Sequence, residues 1–381
     1  RVDYLMSVCR YADFVCDHLT AILVYEIYEA VQTGLHRNFL SANTHNERND
    51  PMTAQPARPT PAAAKPFALH ADRLFPADPV TRDIARRLYA TVADLPIVSP
   101  HGHTDPAWFA DDQPFPDPAR LFIVPDHYVH RMLYSQGIAP ETLGVPRLDG
   151  GAVETDPRAI WRRFASNFRL YRGTPSWLWL NHAFTTVFGI TEQPSAENAD
   201  RLYDHVARCL EKPEFRPRAL YERFGIEVIA TTESPLDDLR HHRKIRESGW
   251  KGRVVTAFRP DPVVDPDFSN FAGNLAELGR ITGRDTSTWA GYLEALVDRR
   301  RYFIEVGGAT STDHGHPTAA TADLDAAAAA ALFDKVKTGG ASPADAELFR
   351  AQMLTEMARM SLADGLVMQI HPGAMRDHNP W

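Results

Sequence analysis

LPIVSPHGHTDP, residues 95–106, joins a short apolar run to two histidines one residue apart. In extended backbone, residues two apart point to the same side, so His101 and His103 can converge on one metal ion. Gly102 keeps the backbone between them uncrowded, and Asp105 is either an orienting carboxylate or a turn residue. A histidine pair of this kind also occurs in surface loops. Its position directly after an apolar strand is what favours a metal. Polar side chains gathered just past strand ends are the arrangement by which a parallel β/α barrel carries its chemistry.

Upstream, Pro79 to Leu95 has helical spacing, with Ile84, Leu88 and Val92 on one side. Downstream, 107–221 lacks strand periodicity and contains helix-like blocks at Arg158–Phe168, Ser176–Val187 and Asn198–Leu210, which reads as a mostly helical insertion. A βα rhythm then begins. Strands are expected at Ile226–Thr232, Val254–Phe258, Phe303–Val306 and Leu366–Ile370, with a polar helix around Asp237–Glu247. Ser342, Pro343 and Asp345 mark the start of a long helix before the last strand. Apolar strands separated by helices predict a parallel sheet covered on both faces. With Leu95–Val98 the strands number five, fewer than a closed barrel needs, so the chain is expected to stop before closure.

The organisation expected is therefore a helical extension at 1–51, a Pro/Ala-rich linker or tail at 52–67, the start of the barrel at 68–106, the helical insertion at 107–221, and truncated βα units at 222–381. Met52 followed by TAQPARPTPAAAKP resembles a natural protein start with a disordered tail. The helix-like stretch Tyr4–Gly34 carries Arg10, Asp13, Asp17, Glu26 and Glu29, too many charges for a lipid interior.

With 41 Lys+Arg against 49 Asp+Glu the chain is mildly acidic, and no basic stretch tracks a nucleic-acid backbone. Three cysteines, Cys9, Cys16 and Cys209, make no disulfide framework, so a cytoplasmic setting is expected. There is no G-x-S-x-G elbow, phosphate-cradling glycine loop or dinucleotide fingerprint. Neither a nucleic-acid nor a membrane partner is expected, and self-association into a homo-oligomer is left open.

Four further clusters carry candidate chemistry. Asp313-His314-Gly315-His316 repeats the histidine spacing, for metal or acid–base work, or is a solvent loop. Asp126-His127-Tyr128 pairs an imidazole with a phenol, or is a helix start capped by Asp126. Arg259 suits a carboxylate clamp, or forms a salt bridge with Asp261. His371, Arg376, Asp377 and His378 crowd the last loop.

The stretches HADRLFPADPVTRDIARRLY, LPIVSPHGHTDP, PDHYVHRML, YRGTP, IATTESPLDDLRHH, FRPD, STDHGH and MQIHPGAMRDHNP together resemble the uronate isomerase family of the amidohydrolase superfamily, over about 68–381. The resemblance implies a distorted TIM (β/α)8 barrel with a helical insertion, its last strands absent from this chain. It implies metal-assisted interconversion of D-glucuronate and D-fructuronate, and of D-galacturonate and D-tagaturonate. One divalent cation is implied, zinc with manganese as the alternative, held by His101 and His103. Tyr128 and His127 match the proton-handling pair, and Arg259, His314 and Arg376 match the substrate-binding side. Two departures stand out. Glu233-Ser234 replaces the usual acidic pair of that stretch, and no D-x-R match to the family's metal-binding aspartate is found. The rival readings are a metal-dependent hydrolase of the same superfamily, since the histidine pair serves both chemistries, and a non-catalytic binding protein or inactive fragment.

Overall fold

The computed structural model describes residues 66–373. The expected extension at 1–51, nearly all of the linker, and Arg376 lie outside the described residues. Those described form two compact units, 66–94 with 115–211, and 95–114 with 212–373.

The first unit is helical. Four of its helices open by one repeated device, in which a capping side chain accepts a backbone N–H and proline takes the first helical position. Asp78 does so for Pro79–Ala90, Asp117 for Pro118–Phe122, Asp156 for Pro157–Ser166 and Thr174 for Pro175–His182. Proline has no N–H to lose there, so the cap and the proline together fix where each helix begins. Trp161, Phe164, Phe168, Tyr171 and Phe184 are fully or almost fully buried and pack ring against ring.

The second unit is built on a five-stranded parallel sheet in the order β1 (Ile97–Ser99), β2 (Ile226–Glu233), β3 (Arg253–Phe258), β4 (Ser311–His314) and β5 (Val367–Ile370). Each strand pairs with its neighbour in sequence, and helices fill the connections. The long helix Pro343–Asp364 opens with the expected capping box between Ser342 and Asp345 and ends at Gly365, whose φ is 80°. Its buried Phe349, Met353 and Met357 join Phe258, Tyr292, Phe303 and Phe333 in one apolar core. Tyr292 stacks on Phe333 with centroids 4.8 Å apart.

One expected strand is corrected. Phe303–Val306 is not extended: Trp289–Tyr302 is a helix that runs on as a π-turn over Phe303–Gly307. A four-residue apolar run does not distinguish a buried strand from a buried helix end. Here Phe303 is fully buried against Phe258, 5.1 Å between centroids. Gly307 lies so close to β3 that a Cβ would sit 2.3 Å from Thr256 Cγ2, and Gly308 turns the chain at φ +68°. The strand proper starts four residues later, at Ser311.

A flat sheet would hold β1 and β5 about 19 Å apart, four strand spacings. Yet the Gln369 side chain on β5 reaches both Pro100 O, at 2.9 Å, and His101 Nδ1, at 2.7 Å, just beyond β1. The sheet is therefore curled, an open part of a distorted barrel, and its C-terminal strand ends converge.

A candidate metal centre at the strand ends

Pairing in the sheet fixes which residues face the inside of the curl. Thr232, Ala257, Ser311 and Val367 are register partners across four strands, and Asp313 pairs with Gln369 one step further on. Alternation places Asp313 and Gln369 on that same face and His314 on the other. Arg259 and His371 follow β3 and β5 by one residue each and meet Asp313 there.

At the centre is Asp313, fully buried. Its Oδ1 accepts from His371 Nε2 and lies 3.9 Å from His101 Nδ1, while its Oδ2 accepts from Arg259 Nη1 at 3.0 Å. Burial pushes the carboxyl pKa up. The His371 bond and the charges of Arg259, His371 and His101 outweigh it and hold the group down at about 2. Arg259 is itself fixed, its Nε donating to Asp261 Oδ2 at 2.9 Å, and Asp261 Oδ1 accepts the Gly315 N–H at 3.2 Å. The Arg259–Asp261 pair set against a carboxylate clamp in the sequence is thus present, and it works as the far end of a brace on Asp313.

One donor atom each from His101, Asp313 and His371 lie within 4.8 Å of one another. Two imidazoles and a carboxylate are a donor set that divalent transition metals accept, with room left for exchangeable ligands. A buried carboxylate between two histidine rings fits such a cation. The donor set alone does not choose between zinc and manganese.

The residues expected from sequence divide as follows. His101 is in this group. The His103 ring stands 5.0 Å from that of His101 and is not one of the three. Thr232 Oγ1 donates to Gly102 O at 2.7 Å and so ties this loop to β2. His314 is fully buried on the reverse face, its Nε2 2.7 Å from Thr312 Oγ1. Burial and the nearby His316 hold its pKa down to about 3, so it is neutral near pH 7. Glu233 also points to the reverse face, bonded to Thr231 and Thr256, with His242 Nε2 3.7 Å away.

His127 and Tyr128 belong to the helical unit. They open the helix His127–Tyr134, capped by Asp126, which accepts from Tyr128 N at 2.8 Å and Val129 N at 3.2 Å. Their rings lie 4.1 Å apart, and the Arg131 guanidinium sits 5.6 Å from the Tyr128 ring centroid.

Sequence reasoning missed Asp313 as a ligand and Gln369 altogether. The only signals were the Asp-His-Gly-His cluster and the short segment Met368-Gln369-Ile370-His371, which puts a polar residue inside an apolar strand.

A curled parallel sheet bearing two imidazoles and a carboxylate at its C-terminal strand ends defines a barrel-type metal-binding protein. The glucuronate isomerase family profile matches residues 78–380, and the chain belongs to that family. It is 67% identical over 309 residues to the uronate isomerase of Rhizobium meliloti (strain 1021), covering 81% of this chain and 66% of that protein. With the uronate isomerase of Phenylobacterium zucineum (strain HLK1) it shares 64% over 315 residues, 83% of this chain and 65% of the relative. The crystal structure of glucuronate isomerase from Caulobacter crescentus superposes with a TM-score of 0.79 at 56% identity, covering 83% of this chain and 65% of that one. Uronate isomerase from Thermotoga maritima gives a TM-score of 0.73 at 27% identity, over 82% of this chain and 66% of that chain. The chain thus spans just under two thirds of the length of these relatives.

Proposed function

We propose that the protein is a uronate isomerase, interconverting D-glucuronate with D-fructuronate and D-galacturonate with D-tagaturonate. The observation that carries this reading is the convergence of His101, Asp313 and His371 at the strand ends of a chain in this family. Zinc is the cation we assign, with these three residues holding it, and the cytoplasm the setting. No described helix is long and apolar enough to cross a membrane.

Aldose–ketose isomerisation moves a proton from C2 to C1 and relocates another between the two oxygens. A bound divalent cation would polarise the substrate's C1 carbonyl and C2 hydroxyl oxygens and make the C2 proton more acidic. Tyr128 and His127 are the assigned proton-handling pair, side by side at the start of the helix His127–Tyr134. Arg259 spends Nε and Nη1 on Asp261 and Asp313, which leaves Nη2 outside both contacts to meet the substrate carboxylate. Arg376, outside the described residues, is assigned to substrate binding as well. His314 is assigned to the substrate-binding side by the family likeness, and it lies buried on the reverse face of β4.

The test is ketose formation from glucuronate and galacturonate by zinc-loaded protein of the relatives' length. Ketose accumulation is expected from at least one of the two, with solvent deuterium entering C1. Cleavage of an ester or lactone with no ketose would overturn the assignment in favour of hydrolysis.

A further inference from the structure

Gln369 is a polar residue within β5, and both ends of its amide are committed. Its Nε2 donates to Pro100 O at 2.9 Å, and its Oε1 lies 2.7 Å from His101 Nδ1. The orientation of the amide follows from chemistry. A carbonyl oxygen has no proton to give, so the NH2 group must face Pro100, and turning the amide over would set two oxygens against each other. The oxygen is then left for His101, and an amide oxygen only accepts. Nδ1 of His101 must therefore carry the proton.

We infer that Gln369 is a positioning residue for the metal centre: it fixes His101 in the Nδ1-protonated tautomer, so that Nε2 carries the lone pair offered to the cation. This rests on the metal-centre reading above. Nδ1 is the nitrogen that lies 3.9 Å from Asp313 Oδ1, and without Gln369 it would compete as the donor. An imidazole that donates its second N–H to an oxygen is held in ring orientation as well as in tautomer. The same amide ties β5 to the residue before His101, so one side chain sets both the curl of the sheet and the nitrogen presented inside it.

The experiment compares unaltered chain, Gln369→Leu and Gln369→Glu by zinc titration calorimetry. The ¹⁵N imidazole spectrum of the metal-free proteins is recorded alongside, with His101 assigned by its loss in His101→Gln. The unaltered chain is expected to show protonated Nδ1 on His101. Gln369→Leu should lose that fixed tautomer and bind zinc about 10- to 100-fold more weakly, and the metal-free melting temperature reads the lost tie to Pro100 separately. Gln369→Glu still accepts from Nδ1 but sets an oxygen against Pro100 O, so it should keep the Nδ1-protonated tautomer without the tie to Pro100, with zinc affinity closer to that of the unaltered chain than to that of Gln369→Leu. A protonated Nε2 in the unaltered chain, or equal zinc affinity for Gln369→Leu, overturns the role of Gln369 while leaving the centre standing. No zinc binding by the unaltered chain removes the centre itself, and with it this role.

Discussion

Behind the sheet, Glu233 is 8% exposed and accepts hydrogen bonds from the Thr231 and Thr256 hydroxyls. Burial raises its pKa from 4.5 to about 7. The folded state therefore binds this proton more tightly than the unfolded chain does. That contribution to stability is fully present below pH 4.5 and is lost as pH rises through 7, a swing of about 3 kcal/mol. His242 works in the opposite sense. Burial, with the charges of His241 and Arg246, lowers its pKa to about 4, so its neutral form favours folding increasingly as pH rises from 4 to 6.5. Comparing Glu233→Gln with the unaltered chain cancels the histidine, and the amide oxygen can still accept from both threonines. The variant should be more stable at pH 8, with the advantage shrinking toward pH 5. Denaturant melts at the two pH values measure this, and an advantage independent of pH would show that Glu233 does not titrate in this window. Asp313 is the contrasting buried carboxyl, held ionised because Arg259 and His371 face it. Two acids of one sheet are thus driven in opposite directions by the face they occupy.

Faces and elements were unequally legible in the sequence. β2 and β3 announce themselves as apolar runs, and the helix from Pro343 is marked by its cap. β4 is Ser-Thr-Asp-His, four buried residues without one apolar side chain, so a search for hydrophobic runs passes over it and stops at Phe303–Val306. Burying such a strand is possible because its polar atoms are largely bonded: Asp313 to Arg259 and His371, Thr312 to His314. Those partners come from elsewhere in the chain, and spacing in sequence does not reveal them. Hence His101 was recoverable from a local pattern and Asp313 was not. The helices behind the sheet depend on a similar long-range bond. Arg300, 1% exposed, donates Nε to Asp364 Oδ2 at 2.6 Å and Nη2 to Asp364 Oδ1 and Ser361 Oγ, each at 2.9 Å. It joins the helix Trp289–Tyr302 to the end of Pro343–Asp364. Asp364→Ala leaves a buried guanidinium short of its counter-charge and should cost about 3 kcal/mol. Arg300→Met combined with Asp364→Leu should cost less than that single change. The reverse order in chemical denaturation would show that Ser361, with Met357 Sδ 3.6 Å from Nη1, suffices to hold Arg300.

At the scale of the whole molecule, the curl among the described residues brings strand ends together but does not close the sheet. Among the described residues β1 pairs only with β2, and β5 only with β4. Both edges carry exposed apolar side chains: Val98 is 48% exposed, Val367 65% and Ile370 45%. An edge strand presents a row of unpaired N–H and C=O groups, and apolar side chains beside it favour pairing with another chain. The matched relatives extend beyond the matched region by about half of its length again, so in them further residues are available to cover such edges. The 381-residue chain should therefore self-associate in a concentration-dependent way, and a chain extended to the relatives' length should do so much less. Val367→Lys places a charge on the edge strand β5 at its far end from His371, and should shift the short chain back toward monomer. Sedimentation velocity across a concentration series reads all three proteins. If association came instead from the surface of the helical unit, Val367→Lys would leave it unchanged. If the short chain stayed monomeric throughout, the edges would already be protected by residues outside 66–373, and extension would have no effect on association.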